Sequence, residues 1–180
     1  IIAPLKGHEF YRAARNVGGE FIQISPASKN CINIMEIRKV DNSVNELLDG
    51  PTLDASALAG KIQRLHIFFS LLIPGMSHEE KQLLDEALIK TYARKGITHK
   101  NESLTDPQHP EQYKKMPILE DVYNVLLESE DTKRLAHILN RLVHGSASSF
   151  NQQTNVDLTN KYTVLDISEL TGSSDLLTVG

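Results

Sequence analysis

Carboxylates and cations that could take part in chemistry lie in three places along the sequence. Lys6 and Glu9 follow the short apolar run at 1–3, and Asp166 lies near the end of the apolar segment 162–167. In α/β proteins, ligand groups lie outside the carboxyl ends of the strands. Lys6 and Glu9 are therefore either nucleotide-proximal groups or parts of an exposed turn. Asp166 is either a magnesium-binding carboxylate of a nucleotide enzyme or a residue that ends a strand.

A row of cations forms the third place. Arg134, His137, Arg141 and His144 are spaced three, four and three residues apart, which puts them on one face of a helix. Such a row could bind a partner, such as the phosphates of a nucleic acid. It could also be a solvated helix face with cations near the negative C-terminal end. The net charge of −4 favours the solvated face, because proteins built to hold nucleic acid usually have a basic balance.

The sequence lacks the common motifs for phosphate binding, metal binding and covalent catalysis. It contains no G-x-x-x-x-G-K-[ST] loop, no G-x-G-x-x-G turn and no G-x-S-x-G elbow. His78-Glu79 begins a metalloprotease pattern, but Gln82 stands where the second histidine is needed, so we expect no metal site. Cys31 is the single cysteine, and we expect a small core residue there rather than a nucleophile.

The composition is that of a soluble globular domain. The chain has 180 residues, of which 40% are hydrophobic and 23% charged. No apolar run approaches the roughly 18 residues that span a bilayer, and no secretory leader precedes the first strand, so we expect a cytoplasmic protein. Both ends fall inside predicted elements, a strand at 1–3 and a helix from 176. We interpret this as the sign of a segment taken from a larger protein.

The elements that must position these residues follow from the hydrophobic pattern. Apolar runs at 1–3, 21–24 and 162–167 predict strands, and residues 9–17 predict a helix ended by Gly18-Gly19. A strand, a helix and a strand within about 25 residues form a βαβ unit, which predicts a parallel sheet.

Helices are predicted between the second and the last strand. Four apolar faces occur, through residues 58–72, after the capping box that begins at Ser77, after Pro117 as a first helical residue, and through 135–142. The segment 30–37 is either a strand or a loop laid across the core. We divide the chain into a partial α/β core at 1–40, a helical insertion at 41–145 with a long, exposed and mobile loop at 97–116, and a return to the core at 146–180.

Two blocks of sequence share their order and spacing with a known family. The first contains Ile2-Ala3-Pro4, Glu9-Phe10, Gly18-Gly19-Glu20, Ile24-Ser25-Pro26, Ser28-Lys29-Asn30, Ile32-Asn33 and Met35-Glu36-Ile37. The second contains Met116-Pro117-Ile118-Leu119-Glu120-Asp121, Gly145-Ser146, Phe150-Asn151, Thr154-Asn155-Val156-Asp157 and Tyr162 to Ile167. Together they resemble the conjugative type IV secretion ATPases of the VirB-four type, above all those from conjugative elements of Gram-positive bacteria.

This resemblance implies an α/β fold, with a partial RecA-like parallel sheet of few strands and a mainly α-helical inserted subdomain. It implies ATP and Mg²⁺ as cofactors of the full-length parent, whose phosphate loop would precede Ile1 and whose Walker B carboxylates would follow Gly180. The chain alone would then hydrolyse no ATP. The parent would power pilus assembly and substrate transfer during conjugation. It would act as a homo-oligomer, with other secretion-system subunits, at the inner face of the cell membrane.

The sequence departs from the family's pattern at two positions. Relatives often have Asp-Pro where this chain has Ala3-Pro4, which leaves Lys6 and Glu9 as the nearest polar groups. Relatives often have an arginine at the position of Gln153, so Arg134 and Arg141 are the remaining candidates for an arginine that acts on a neighbouring subunit. Two alternatives stay open: a stand-alone helical module that binds protein or nucleic acid, and a small hydrolase.

Overall fold

The computed structural model describes residues 2–3, 9–25, 29–38, 56–145, 150–157, 160 and 162–166. Within these ranges the chain forms three strands, which are β1 (Ile2–Ala3), β2 (Glu20–Gln23) and β3 (Thr163–Asp166). It also forms five α-helices, which are α1 (Glu9–Asn16), α2 (Ala57–Leu72), α3 (His78–Arg94), α4 (Leu119–Leu126) and α5 (Lys133–Val143). Short 3-10 turns lie at Asn101–Leu104 and Glu130–Thr132.

The three strands form one parallel sheet in the order β1-β3-β2. Strand β3 pairs with β2 from Glu20↔Thr163 to Gln23↔Asp166 and with β1 at Ile2↔Leu165. The two strands of the predicted βαβ unit are therefore not neighbours, because β3 lies between them. The predicted fold class, a small parallel sheet with helices dominant, is confirmed.

The turn from α1 to β2 depends on its two glycines. Gly18 has φ +69°, a left-handed conformation that glycine adopts without steric cost, and it ends the helix as predicted. A Cβ atom at Gly19 would lie 2.5 Å from the carbonyl oxygen of Tyr162. Only glycine therefore lets the start of β2 come this close to the chain that enters β3.

The predicted helices are present, with one difference at a boundary. The capping box of α3 is formed, because the Ser77 hydroxyl accepts from the Glu80 amide at 3.0 Å and the Glu80 carboxylate accepts from the Ser77 amide at 2.9 Å. Helix α4 begins at Leu119, so the prediction of Pro117 as its first residue is wrong. The carbonyl of Pro117 instead accepts a buried hydrogen bond from another segment, described below.

One hydrophobic core joins the sheet to the helices. It includes Ile22 of β2, Met35, and the inward faces of α2 to α5. The segment 29–38 is a loop that lies across this core, with residues 31, 33, 35 and 37 buried, so the loop alternative for this segment is confirmed. Tyr92 of α3, fully buried, donates from its hydroxyl to the Met35 carbonyl at 2.5 Å.

The segment 97–116 differs from the exposed loop that was predicted. Ile97, Leu104 and Met116 are buried, and Thr105 pairs with Tyr113 in an isolated antiparallel bridge. These contacts anchor both ends and the middle of the segment, although most other positions are exposed. Its mobility stays a prediction. None of the described helices combines the length and the apolar character that crossing a bilayer requires.

Candidate functional site

Asp166 lies at the carboxyl edge of the sheet, as the last residue of the middle strand. Its register partners are Ala3 and Gln23, which end β1 and β2, and it is 9% exposed. The backbone holds it there, because the Ile24 amide donates to the Asp166 carbonyl at 2.9 Å. Glu9 is the first residue of α1, and Lys6 lies outside the described residues.

This edge holds one buried carboxylate, Asp166, and one carboxylate does not complete a nucleotide site. A buried carboxylate beyond the end of a parallel strand can hold a Mg²⁺ ion or a water beside bound phosphates. The phosphates themselves need a loop of backbone amides, and the sequence contains no such loop. In the parts of the chain that the structure describes, no three His, Cys, Asp or Glu side chains are grouped to hold a metal. The described residues therefore do not fit Mg²⁺ and ATP without further protein.

Polar side chains join the loop before β3 to the loop that crosses the core. We call them the junction network: Asn33, Asn151, Gln153, Thr154 and Asn155. The Asn155 side chain accepts from the Cys31 amide at 2.7 Å and donates to the Lys29 carbonyl at 2.6 Å. The Thr154 hydroxyl accepts from the backbone amide of Asn33 at 3.0 Å. Side chains thus pair the two loops as a strand ladder would.

The junction network also reaches the residues before and at the start of α4. The side-chain amide of Asn33 donates to the Pro117 carbonyl at 2.9 Å, and the side-chain amide of Gln153 donates to the Met116 carbonyl at 2.8 Å. The Asn151 side chain accepts from the Glu120 amide at 2.8 Å. Since buried backbone groups need partners, these bonds fix the entry to α4 against both loops.

The two blocks that carry the family resemblance therefore touch each other. Sequence reasoning did not find this role, although a signal existed: short amides and hydroxyls at 151–155 and at Asn33 are residue types that bond to backbone groups in place of regular structure. Gln153 stands where the resemblance led us to expect an arginine, and here its side chain is half-buried and its amide donates to a backbone carbonyl. In this chain the position serves the junction.

The predicted cation row lies on one exposed face of α5. Arg134, His137, Arg141 and His144 are all exposed, and the buried leucines of α5 are on its other side. Arg134 contacts Glu80 of α3 at 2.5 Å, and the His144 ring lies edge-on to Tyr123 with centroids 5.2 Å apart. The Ser77 backbone amide and then Arg134 hold the pKa of Glu80 below its ordinary value. The row is thus partly used within the fold.

Cys31 is placed as the sequence predicted. It is 2% exposed, and burial raises the pKa of its thiol. A thiol with this pKa is a poor nucleophile, which agrees with a core role. Its backbone, not its sulfur, takes part in the junction network.

A solved structure, that of VirB4 of Thermoanaerobacter pseudethanolicus, has the same fold. It matches with a TM-score of 0.75 and 25% sequence identity over 98% of this chain. The predicted resemblance to VirB4 is confirmed. Because the match covers 98% of the chain, the VirB4 fold includes both the sheet and the helices. No family model and no curated protein matches the sequence.

The likeness concerns part of VirB4. This chain spans 62% of the length of the VirB4 structure. The sheet edge at Asp166, the junction network and the cation row are therefore features of a chain that is similar to part of VirB4.

Proposed function

We propose that this chain is a segment of a type IV secretion motor ATPase of the VirB4 type. The observation that carries the proposal is the position of β3 between β1 and β2. Residues 24–162 separate β2 from β3 in sequence, yet the two strands pair along their whole length. A βα step, a helical body and a returning central strand are what the resemblance implies for the stretch between the phosphate loop and Walker B.

In this proposal each part of the chain has a role in the parent protein. The sheet edge contributes Asp166 beside ATP and Mg²⁺, which a phosphate loop from elsewhere in the parent would hold. Residues 41–145 form the helical insertion, and the junction network joins it to the strands so that the two move together. The parent would act as an oligomer at the membrane's inner face and power pilus assembly and substrate transfer.

The test compares the 180-residue chain with the full-length gene product. We expect the full-length protein to hydrolyse ATP and the chain alone to show neither hydrolysis nor ATP affinity by calorimetry. In the full-length protein, Asp166→Asn should lower kcat by about tenfold or more, because a carboxylate near the reacting phosphate is lost. Asp131→Asn, at an exposed position in a 3-10 turn, is the matched control and should leave kcat unchanged.

Two results would contradict this proposal, the first its account of the nucleotide site as a whole and the second the role of Asp166. One is micromolar ATP affinity in the isolated chain, which would show that the chain carries its own nucleotide site. The other is an Asp166→Asn protein that folds and hydrolyses ATP at the normal rate, which would remove Asp166 from the site.

A stand-alone interaction module remains the second candidate, because the four residues of the cation row are all exposed. Binding of DNA by this face should weaken steeply as salt rises, since it would depend on phosphate contacts. If Arg134→Ala combined with Arg141→Ala leaves DNA retention unchanged, this candidate is eliminated.

A further inference from the structure

Helix α2 exposes an apolar pair that the core does not use. Ile67 is 64% exposed and Leu71 is 45% exposed. They are four residues apart, so they lie side by side on one face of the helix. Together they line one side of a groove of about 550 Å³ between α2 and α3, which we call the α2–α3 groove. An apolar pair at this spacing beside a groove is the surface that an amphipathic partner helix recognises.

The polar lining of the groove includes one lysine and two histidines. Lys81 and His78 of α3 lie across from the apolar pair. Asp85 is the single carboxylate among the described lining residues, and its Oδ1 atom is 2.8 Å from Nε2 of His66. The Asp85 carboxylate therefore already has a partner in His66. Lys81, in contrast, forms no ion pair with any other described residue.

Three further cations extend the charge of this surface beyond the groove. Arg64 is exposed and precedes Ile67 by three residues, so it lies on the same face of α2. Lys61 lies one turn before Arg64, and Arg38 faces Lys61 from the crossing loop. We call Arg38, Lys61 and Arg64 the cationic cluster. Across the described ranges, neither Lys61 nor Arg64 has a carboxylate at ion-pair distance.

Among the described residues, the one carboxylate that acts on the cationic cluster is already hydrogen-bonded. Glu36 is the one carboxylate that acts on Lys61, and its Oε2 atom accepts from Arg38 at 3.0 Å and from the Thr154 hydroxyl at 2.6 Å. Burial and then the charges of Arg64 and Arg38 lower the pKa of Lys61 to about 8, and the charge of Glu36 offsets a part of this lowering. An added carboxylate would relieve this repulsion.

We propose that the α2–α3 groove and the cationic cluster together bind an acidic amphipathic helix of a partner protein. Two apolar residues of that helix, four positions apart, would lie on Ile67 and Leu71. Its carboxylates, one turn away, would lie opposite Arg64 and Lys61, since complementary charge fixes orientation and partner choice. A nucleic acid would satisfy the charge alone and would leave the apolar pair in water. This proposal does not depend on nucleotide hydrolysis, so it can fail while the proposed function stands.

The experiment measures binding of two synthetic helical peptides to the 180-residue chain by fluorescence anisotropy. Both peptides carry a leucine pair four residues apart, and they differ only in flanking glutamates or flanking lysines. We expect the acidic peptide to bind, with affinity that falls as salt rises, and the basic peptide not to bind. Ile67→Asp should lower the affinity for the acidic peptide by about tenfold or more, and Arg64→Glu should lower it by about fivefold or more.

Matched control variants separate this surface from general stickiness. Val17 is 62% exposed on another part of the chain, so Val17→Asp controls for Ile67→Asp. Arg12 on α1 is exposed, so Arg12→Glu controls for Arg64→Glu. Both control variants should bind the acidic peptide as the unmodified chain does. Because Cys31 is buried, Ser70→Cys gives a unique accessible thiol in the groove, and a fluorophore there should respond to the acidic peptide only.

Three outcomes of the measurements with peptides would overturn the proposal. In the first, the two peptides bind equally well. In the second, the acidic peptide does not bind and the fluorescence of the dye in the groove does not change. In the third, the control variants weaken binding as much as the groove variants do. Displacement of the acidic peptide by a single-stranded oligonucleotide, with no effect of Ile67→Asp, would also overturn it in favour of a nucleic acid ligand.

Discussion

Replacing Lys61 by methionine should stabilise the protein near neutral pH and not at high pH. The ammonium group of Lys61 is drawn from water and faces Arg64 and Arg38, which lowers its pKa from 10.5 to about 8. At about 1.4 kcal/mol for each pH unit, this difference corresponds to about 3 kcal/mol of destabilisation when the lysine is charged. Because the group keeps part of its hydration, we expect about 1 to 2 kcal/mol. Methionine keeps the apolar stem and removes the charge.

The pH dependence gives the sign of the effect. Below about pH 8 the lysine is charged in both the folded and the unfolded chain, so the folded state bears the full destabilisation. Between about 8 and 10.5 the folded state releases its proton and the unfolded state still holds it, so stability rises with pH. Above about pH 10.5 the lysine is neutral in both the folded and the unfolded chain, and the destabilisation is gone.

Urea unfolding followed by circular dichroism measures this difference at about pH 7 and above pH 10.5. Lys61→Met should be the more stable protein at the lower pH, and the gap to the unmodified chain should close at the higher pH. Lys90→Met is the control, since Lys90 is 55% exposed and paired with Glu128, and it should change stability by less than about 0.5 kcal/mol at both pH values. A gap that is the same at both pH values, or a destabilised Lys61→Met protein near neutrality, would refute the reasoning.

Two further predictions concern the loop that crosses the core. Asn33→Ala should lower the free energy of unfolding by about 2 to 3 kcal/mol in urea titrations, because the Pro117 carbonyl and the Met35 amide lose their buried partner; a loss below about 0.5 kcal/mol would mean that the junction network is not structural. Cys31 should resist iodoacetamide in the folded chain and react fully in urea, as followed by mass spectrometry, since it is buried and its thiol pKa is raised; equal rates in both conditions would contradict its burial.

The elements that the sequence predicted are those whose pattern is set locally. The capping box at Ser77, the glycines after α1 and the apolar faces of the helices depend on neighbours within one or two turns. The class of the sheet also followed, because a strand, helix and strand in close succession leave a parallel arrangement as the direct solution.

What the sequence did not predict depends on contacts between distant residues. The start of α4 was placed two residues early, because Pro117 gives its carbonyl to Asn33 and no local rule includes that partner. Leu104 is buried in a segment that otherwise has the composition of an exposed loop. The junction network and the apolar pair on α2 were missed for the same reason, since the former joins distant segments and Ile67 lies outside the buried stripe of its helix.

The place of β3 has a consequence for the order in which the chain can fold. During synthesis, β1 and β2 leave the ribosome long before β3, so neither can pair with β3 until the described helices that precede it have been made. The helices can pack first through contacts that are closer in sequence, and the sheet must close last over a gap that residues 24–162 span. Until then, the edges of β1 and β2 that pair with β3 lack that partner, and unpaired strand edges of a folding chain can pair with other chains.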